Sequence, residues 1–475
     1  MGLIQSIKFS NFALHKLVRF DLKYLNYKLK KNKVLKSIKV KESIHSYFKG
    51  FAFKGEDFSS IGKNYVLKGD LFNDDFSINF NKIQYLDDVF LDTHYKFKLN
   101  KNDIVISLVG SIGKMVIIDD EYNMLLNQNN ISLQVNKELF NNKFFAYVLK
   151  REIYDLACNV YGNSGYSFLS IDDLFNLEIP NIDLKIQNEV IEKVESLEKE
   201  IVDLKVQKKE YLEIINDVFS NEFNINLKEV KKLTNIKKIN LKFKNIILKN
   251  DSIRTSFKWQ KLETIQSYMY QDLKCIEKLS NFIISTKNGW SPKSSEVEEG
   301  TPILGQEHIL KNGKISLSAS KYTVLTRNNI EDFYIKKNDF FVSRGNTVEL
   351  VALAGIVTDD IEDNILYPDL YIKIEFNEEY INKQYMAYLF NSFFGRIYFK
   401  HVAKGKNQTM VKVSSKELYD FYVPLPDKTI QQEIVDKIQT QIDSQKDIDK
   451  QIEDKQGEIS KIIEDCIQTS GDTNG

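Results

Sequence analysis

The residues closest to a phosphate-cradling loop are Gly110-Ser111-Ile112-Gly113-Lys114. The glycine spacing is too short, and Met115 stands where a nucleotide-binding loop needs a hydroxyl, so the motif fails. An amino-methyltransferase acting on adenine or cytosine would carry an Asn-Pro-Pro-aromatic run, which is absent. Pro368-Asp369 and Pro426-Asp427 could open a nuclease carboxylate motif. The first lacks an acid-x-Lys at a workable distance. The second could use only Glu453-x-Lys455, which falls in a long charged helix and reads as a solvated pair. His15, His45, His94, His308 and His401 show no metal-ligand spacing and no nucleophile beside them. Cys158, Cys275 and Cys466 lie far apart, which argues against a zinc site or a disulfide framework and fits a reducing cytoplasm. The chain reads as non-catalytic, with no metal site of its own.

What remains is a set of polar loops rich in glycine, asparagine, serine and lysine, and their order along the chain is doubled. Lys101-Asn102-Asp103-Ile104-Val105-Ile106-Ser107 corresponds to Lys337-Asn338-Asp339-Phe340-Phe341-Val342-Ser343. An Asn-Asp turn leading into a β-branched or aromatic run predicts the start of a strand. Upstream, Gly50-Phe51-Ala52-Phe53-Lys54 corresponds to Gly289-Trp290-Ser291-Pro292-Lys293. Downstream, Phe144–Leu149 corresponds to Gln384–Leu389, each a short helix, and the loop Tyr161–Tyr166 to Lys404–Thr409. Each copy then passes a serine, Ser170 or Ser414, and reaches Ile179-Pro180 or Val423-Pro424.

The elements that must position these loops are two long helices. The first is led by Ile186-Gln187-Asn188-Glu189 and carries apolar residues at Val190, Val194, Leu197, Ile201, Leu204, Tyr211, Ile215 and Val218, with Lys208 as a polar interruption. The second is led by Ile430-Gln431-Gln432-Glu433 and carries Ile434, Ile438, Ile442, Ile448, Ile452, Ile459 and Ile463, with Gln445 and Gln456 between. Steps of four and three make a coiled-coil seam, and two such helices in one chain are expected to pack on each other. The expected organisation is a first globular domain over 1–180 with a basic amino-terminal segment, a long helix over 181–226, a basic linker over 227–275, a second globular domain over 276–426, a second long helix over 427–468, and a tail over 469–475.

The 66 basic residues are balanced by 66 acidic ones, so net charge alone gives no sign of a nucleic-acid partner. The lysines are clustered, however, in the amino-terminal segment from Lys8 to Lys41 and again from Lys228 to Lys261, where local phosphate binding is possible. No apolar run is long enough for a signal peptide or a bilayer span, and the expected location is cytoplasmic.

The paired Gly-aromatic-x-x-Lys turns, the Asn-Asp strands with serine-containing loops, and the Ile-Gln-x-Glu helices that follow each Ile-Pro or Leu-Pro carry a resemblance. From about Lys33 to Ile467 the chain resembles the DNA-specificity subunit of a type I restriction–modification system. The doubled order, more than any one motif, makes the likeness. The resemblance implies two α/β (α+β) target-recognition domains, a pseudo-twofold internal repeat, and two antiparallel coiled-coil helices between them. It implies double-stranded DNA, modification (methyltransferase) subunits and restriction (ATP-dependent translocase/endonuclease) subunits as partners. S-adenosylmethionine, ATP and magnesium would belong to those partners, with no cofactor bound by this chain and no role at a membrane.

On that reading the first helix, at ~1.5 Å per residue, spans roughly 50 Å. That is somewhat more than a DNA turn of ~34–36 Å, so a bipartite target with an unread spacer is expected. Base reading needs donors and acceptors at groove edges. The candidate DNA-binding residues are Lys54, Ser107, Ser111, Lys114, Asn163 and Tyr166 in the first copy, and Lys293, Arg344, Asn346, Thr347, Lys404, Lys406, Asn407 and Gln408 in the second. Lys54, Lys114 and Lys293 suit phosphate, which positions the protein without specifying sequence. The competing reading is a coiled-coil scaffold whose two heads bind proteins, for which Phe51, Trp290 and Tyr367 would serve equally well.

Overall fold

The structure is a computed structural model describing residues 37–157, 168–239, 256–319, 321–407 and 410–472. It divides into two units, one of Met1–Lys205 with Gln451–Gly475, the other Val206–Lys450. The basic amino-terminal segment before residue 37 lies outside the described residues.

The first unit opens with β1 (Ser37–Lys39) and β2 (Ile44–Lys49), then β3 (Asn64–Leu67), β4 (Gln84–Leu86) and α1 (Asp88–Thr93). It continues with β5 (Ile104–Ser107), β6 (Met115–Ile117), β7 (Met124–Leu126), β8 (Asn130–Val135), α2 (Asn142–Leu156), α3 (Ile171–Phe175), β9 (Glu178–Pro180) and α4 (Leu184–Gln207). Its main sheet is antiparallel in the order β2-β8-β5-β6. Strand β5 is buried along its whole length, as its run of β-branched residues requires. The turn into it needs Asn102 at φ 72°, a left-handed conformation that asparagine tolerates better than most residues. Strand β9 pairs with β1 and delivers the chain to α4. Ile191, Val194 and Ile201 of α4 share a core with Ile459, Ile463, Cys466 and Ile467 from residues 451–472. Lys455 pairs with Glu200 along that seam.

The second unit begins with α5 (Tyr211–Glu222), α6 (Leu227–Thr234) and α7 (Phe257–Tyr270), followed by β10 (Ile276–Lys278), β11 (Ile283–Asn288), β12 (Thr301–Ile303), β13 (Lys321–Thr323), β14 (Phe340–Ser343), β15 (Gly345–Asn346), β16 (Ala354–Ile356) and β17 (Tyr371–Phe376). Then come α8 (Lys383–Asn391), α9 (Phe393–Val402), β18 (Lys404–Asn407), β19 (Met410–Lys412), α10 (Ser415–Tyr419), β20 (Tyr422–Pro424) and α11 (Lys428–Asp472). The main sheet has the order β11-β17-β14-β16, element for element that of the first unit, and β10 pairs with β20 as β1 does with β9. Asn338, at φ 67°, takes the place of Asn102. The helices run antiparallel here: Lys208 pairs with Asp449 at 2.5 Å and Glu222 with Lys437 at 2.5 Å.

Two expectations are corrected. The first long helix is not continuous over 181–226. It ends at Gln207 and restarts at Tyr211. At the break the Lys209 backbone N–H donates to Gln445 Oε1 at 2.6 Å, so a buried glutamine of α11 satisfies a donor that the interruption frees. The ~50 Å estimate for an unbroken rod therefore does not hold. The stretch 227–275 is not simply a basic linker. α6 and α7 fold onto the second unit, burying Val230, Leu262, Ile265 and Met269 in its core.

Candidate nucleic-acid interface

In the second unit the structure brings the two candidate loops into one small sheet, of order β15-β19-β18. Gly345 and Asn346 pair with Lys412 and Val411, and Lys404 pairs across the neighbouring hairpin. The loop Lys404–Thr409 is thus largely a strand; Lys406 and Asn407 are placed in it by their backbone, and Gln408 lies outside the described residues. Arg344 is partly buried: its Nη1 donates to the Asp369 carbonyl at 3.3 Å and lies 3.8 Å from the carboxylate. Asp369 also accepts from Ser291 Oγ at 2.6 Å. Asn346 Oδ1 accepts from the Thr347 N–H at 2.8 Å, shaping the turn. Lys404 is largely exposed and pairs with Glu417 at 2.7 Å. Burial alone would raise the Glu417 carboxyl, but hydrogen bonds from Lys404 and Ser414 outweigh it and hold the group below its ordinary range. Lys293 is exposed, and its carbonyl accepts from Thr323 Oγ1 at 2.8 Å.

Beside this patch stands a residue that the sequence reading passed over. Arg327, exposed, lies with Cζ 4.5 Å from the Phe333 ring centroid and 5.4 Å from that of Trp290. Only the Gly-Trp turn hinted at it; the stacking partners lie 6 and 37 residues away in sequence.

In the first unit, Ser107 is buried, and its hydroxyl donates to the Val109 carbonyl at 3.1 Å. Ser343 makes the matching bond to Gly345 at 3.3 Å. This serine braces the end of the strand in both units instead of facing solvent. Ser111 is exposed on the tight connection to β6, with Gly110 and Gly113 on either side at positive φ. Lys114 lies 3.6 Å from Asp74, and Lys54 lies 3.7 Å from Glu56. Phe51, which corresponds to Trp290, sits among Phe53, His94 and Phe97. Asn163 and Tyr166 lie outside the described residues.

The seam candidates differ in depth. Val194, Ile201, Ile215, Ile434, Ile438, Ile442, Ile448 and Ile459 are buried, while Val190, Leu197, Leu204, Tyr211 and Ile452 are half-buried. Ile191 and Ile214 are buried beside them, widening the stripe on the first pair of helices.

The Ile-Gln-x-Glu motif has a clear local job. Gln187 is fully buried; its Oε1 accepts from the Asn141 N–H at 3.0 Å, and its Nε2 donates to the carbonyls of Ile182 and Leu139 at 2.8 and 2.9 Å. Gln431 repeats this with the Asn382 N–H at 2.8 Å and the carbonyls of Pro426 and Tyr380 at 2.8 and 2.9 Å. Asn141 and Asn382 in turn cap α2 and α8. Each glutamine therefore locks its long helix to the domain before it through bonds that are all satisfied.

Two stretches of this chain, 49–214 and 274–456, match the model of the type I restriction modification DNA specificity domain. The chain belongs to that family. Its role is DNA recognition, within the type I restriction–modification machinery. Among solved structures, the S subunit of a type I system from M. genitalium is 15% identical over 92% of this chain and 97% of its own, with a TM-score of 0.42. The HsdS subunit from Thermoanaerobacter tengcongensis is 10% identical over 93% and 97%, with a TM-score of 0.32. A chain from a structure of type I complex assembly and conformational transition is 11% identical over 92% and 98%, with a TM-score of 0.47. No curated protein sequence matches the chain. No helix among the described residues is long and apolar enough to cross a membrane.

Proposed function

We propose that this specificity subunit is non-catalytic and reads a bipartite duplex target, each unit contacting one half. The observation that carries this is the repeated sheet with unlike chemistry at matched positions. Leu108 and Arg344 occupy the same place after the braced serine, their N–H groups donating to Asn129 and Leu370 carbonyls at 2.8 and 2.7 Å. Phe51 and Trp290 likewise occupy the same turn, donating to Leu126 and Tyr367 at 2.9 and 3.0 Å. Constant scaffolds with differing edges suit two readers of different sequence.

The helices set the spacing between half-sites and dock modification (methyltransferase) subunits, and restriction subunits join that complex in the cytoplasm. S-adenosylmethionine, ATP and magnesium act in the partner subunits. The test is a gel-shift with random-sequence duplex, with and without a modification subunit, alongside a methylation assay on the chain alone. Duplex binding that selects a split motif, and no methyl transfer by the isolated chain, are expected. Methyl transfer by the chain alone, or binding without sequence preference in the complex, would overturn the proposal.

A further inference from the structure

We infer that Arg327 is the guanine-reading side chain of the second unit. The inference rests on the DNA-reading role above and adds the residue and the base. Arginine reads guanine by aiming two parallel N–H groups at O6 and N7. That demands a guanidinium whose plane is held while its N–H edge stays free.

The described arginines can be sorted on this criterion. Arg151, in the first unit, pairs with Glu464 at 3.3 Å. Arg396 is turned inward, donating to the Phe390 and Glu349 carbonyls at 3.1 and 3.4 Å. Arg344 is engaged by Asp369. Arg327 pairs with no carboxylate among the described residues and is held by ring contacts alone. Among the described residues no hydrogen bond or carboxylate engages its N–H groups, which leaves them available to a base edge.

The support under Arg327 is built in. Phe333 is buried, and Lys287 both lies 4.8 Å from its ring centroid and pairs with neighbouring Asp332 at 2.9 Å. The Trp290 turn is fixed by its N–H bond to Tyr367. The turn packs against the Pro368 backbone so closely that a Cβ on Gly289 would meet its carbonyl at 2.1 Å, and only glycine fits there. Thr323 fastens the segment leading to Arg327 to the Lys293 turn, its hydroxyl donating to the Lys293 carbonyl and accepting from the Leu325 N–H at 3.1 Å. A chain of contacts then joins Arg327 to the candidate loops: Trp290 precedes Ser291, which bonds Asp369, which holds Arg344. Exposed Lys293 on the same turn suits a backbone phosphate beside that base.

The test uses the full chain co-produced with a modification subunit, as wild type, Arg327→Ala and Arg327→Lys. Methylated genomic positions are mapped, and each purified complex is titrated at two salt concentrations with a duplex carrying the wild-type motif and with every single-base variant of it. Arg327→Ala should lose on the order of tenfold to a hundredfold of discrimination at one G·C pair in one half-site, with the other half unchanged. Arg327→Lys should keep affinity for the motif within a few-fold yet lose the same discrimination, because a point charge cannot make the paired contact. This variant also carries the test if the alanine protein folds poorly. A uniform fall in affinity with a weaker salt dependence would identify a phosphate contact and overturn the inference. Unchanged discrimination in both variants would overturn it as well. A wild-type complex that methylates no defined motif and binds duplex without preference would instead defeat the DNA-reading role itself.

Discussion

The first and second units share a scaffold to the level of single hydrogen bonds, yet they partner one turn-closing aspartate differently. Asp103 and Asp339 each close the turn before the central strand by accepting a backbone N–H, from Asn100 at 3.0 Å and Lys336 at 2.8 Å. In the second unit, Lys373 on the adjacent strand pairs with Asp339 at 2.7 Å. In the first, the position corresponding to Lys373 is Ser132, since Val105 pairs with Ser132 as Phe341 pairs with Lys373. With no cation there among the described residues, burial raises the Asp103 carboxyl above the usual 3.8, against the N–H bond from Asn100 and the side chains of Gln134 and Ser132. The comparison separates two classes of position. The glutamine joint, the strand-end serine and the left-handed asparagine recur unchanged, because the fold needs them. Charge partners and exposed edges have diverged, because the fold tolerates either.

The strongest way to break this comparison is at the seam. Ile438→Asp in the second unit and Ile201→Asp in the first should each cost more than about 4 kcal/mol, because each buries an unpaired carboxylate. Leu204→Asp, half-buried, should cost clearly less. Urea denaturation decides, and equal losses at 201 and 204 would mean that the seam has a different depth profile.

The joint sharpens the comparison next. Gln187→Ala and Gln431→Ala should each cost on the order of 1–3 kcal/mol, since each removes three bonds and leaves a capping N–H unsatisfied. A large loss in one unit and none in the other, read by the same denaturation, would show that the repeat is geometric but not energetic.

The aspartates should then differ in sign. Asp103→Asn should stabilise the first unit at neutral pH, since the buried carboxylate is disfavoured there. A folded carboxyl raised above 3.8 favours the protonated form, so its penalty is absent below the unfolded value and develops as pH rises through the folded one. The gain should therefore vanish in acid. Asp339→Asn should destabilise by about 1 kcal/mol or more, leaving Lys373 without its partner. Thermal unfolding of both variants across pH checks the pair; same-sign shifts at neutral pH would contradict the contrast.

The smallest effect is expected at the turns. Asn102→Ala and Asn338→Ala should each cost about 1 kcal/mol for a left-handed alanine, and the glycine variants should be close to neutral. An alanine variant as stable as its glycine counterpart would remove the conformational argument.

The scaffold was legible because its signals are local. Asn-Asp before a β-branched run marks the same strand twice, and the two prolines mark the same exit. The helix break was harder to see. Lys208 stood out as polar, but the group that makes an interruption tolerable is Gln445, far along the chain. α7 was concealed by its lysines, although Leu262, Ile265 and Met269 already sat at helical spacing. Of the candidate site, the exposed lysines and glycine turns were visible. The engagement of Arg344 by Asp369 and the freedom of Arg327 were not, because both depend on partners brought together only by folding.

The composition of the first unit has a consequence for the order in which the molecule forms. Residues 451–472 complete a core begun by Ile191, Val194 and Ile201, and Glu464 reaches Arg151 across 313 positions of sequence. During synthesis, the unit made first must therefore wait, with one helical face bare, while the whole second unit emerges. Contacts of such long sequence separation form slowly, and an uncovered apolar stripe is open to wrong partners in the interval. The second unit, enclosed between residues 206 and 450, is complete as soon as its own last residues emerge. A released chain truncated after residue 450 should carry a finished second unit and an unfinished first, an inversion of the order in which they were translated.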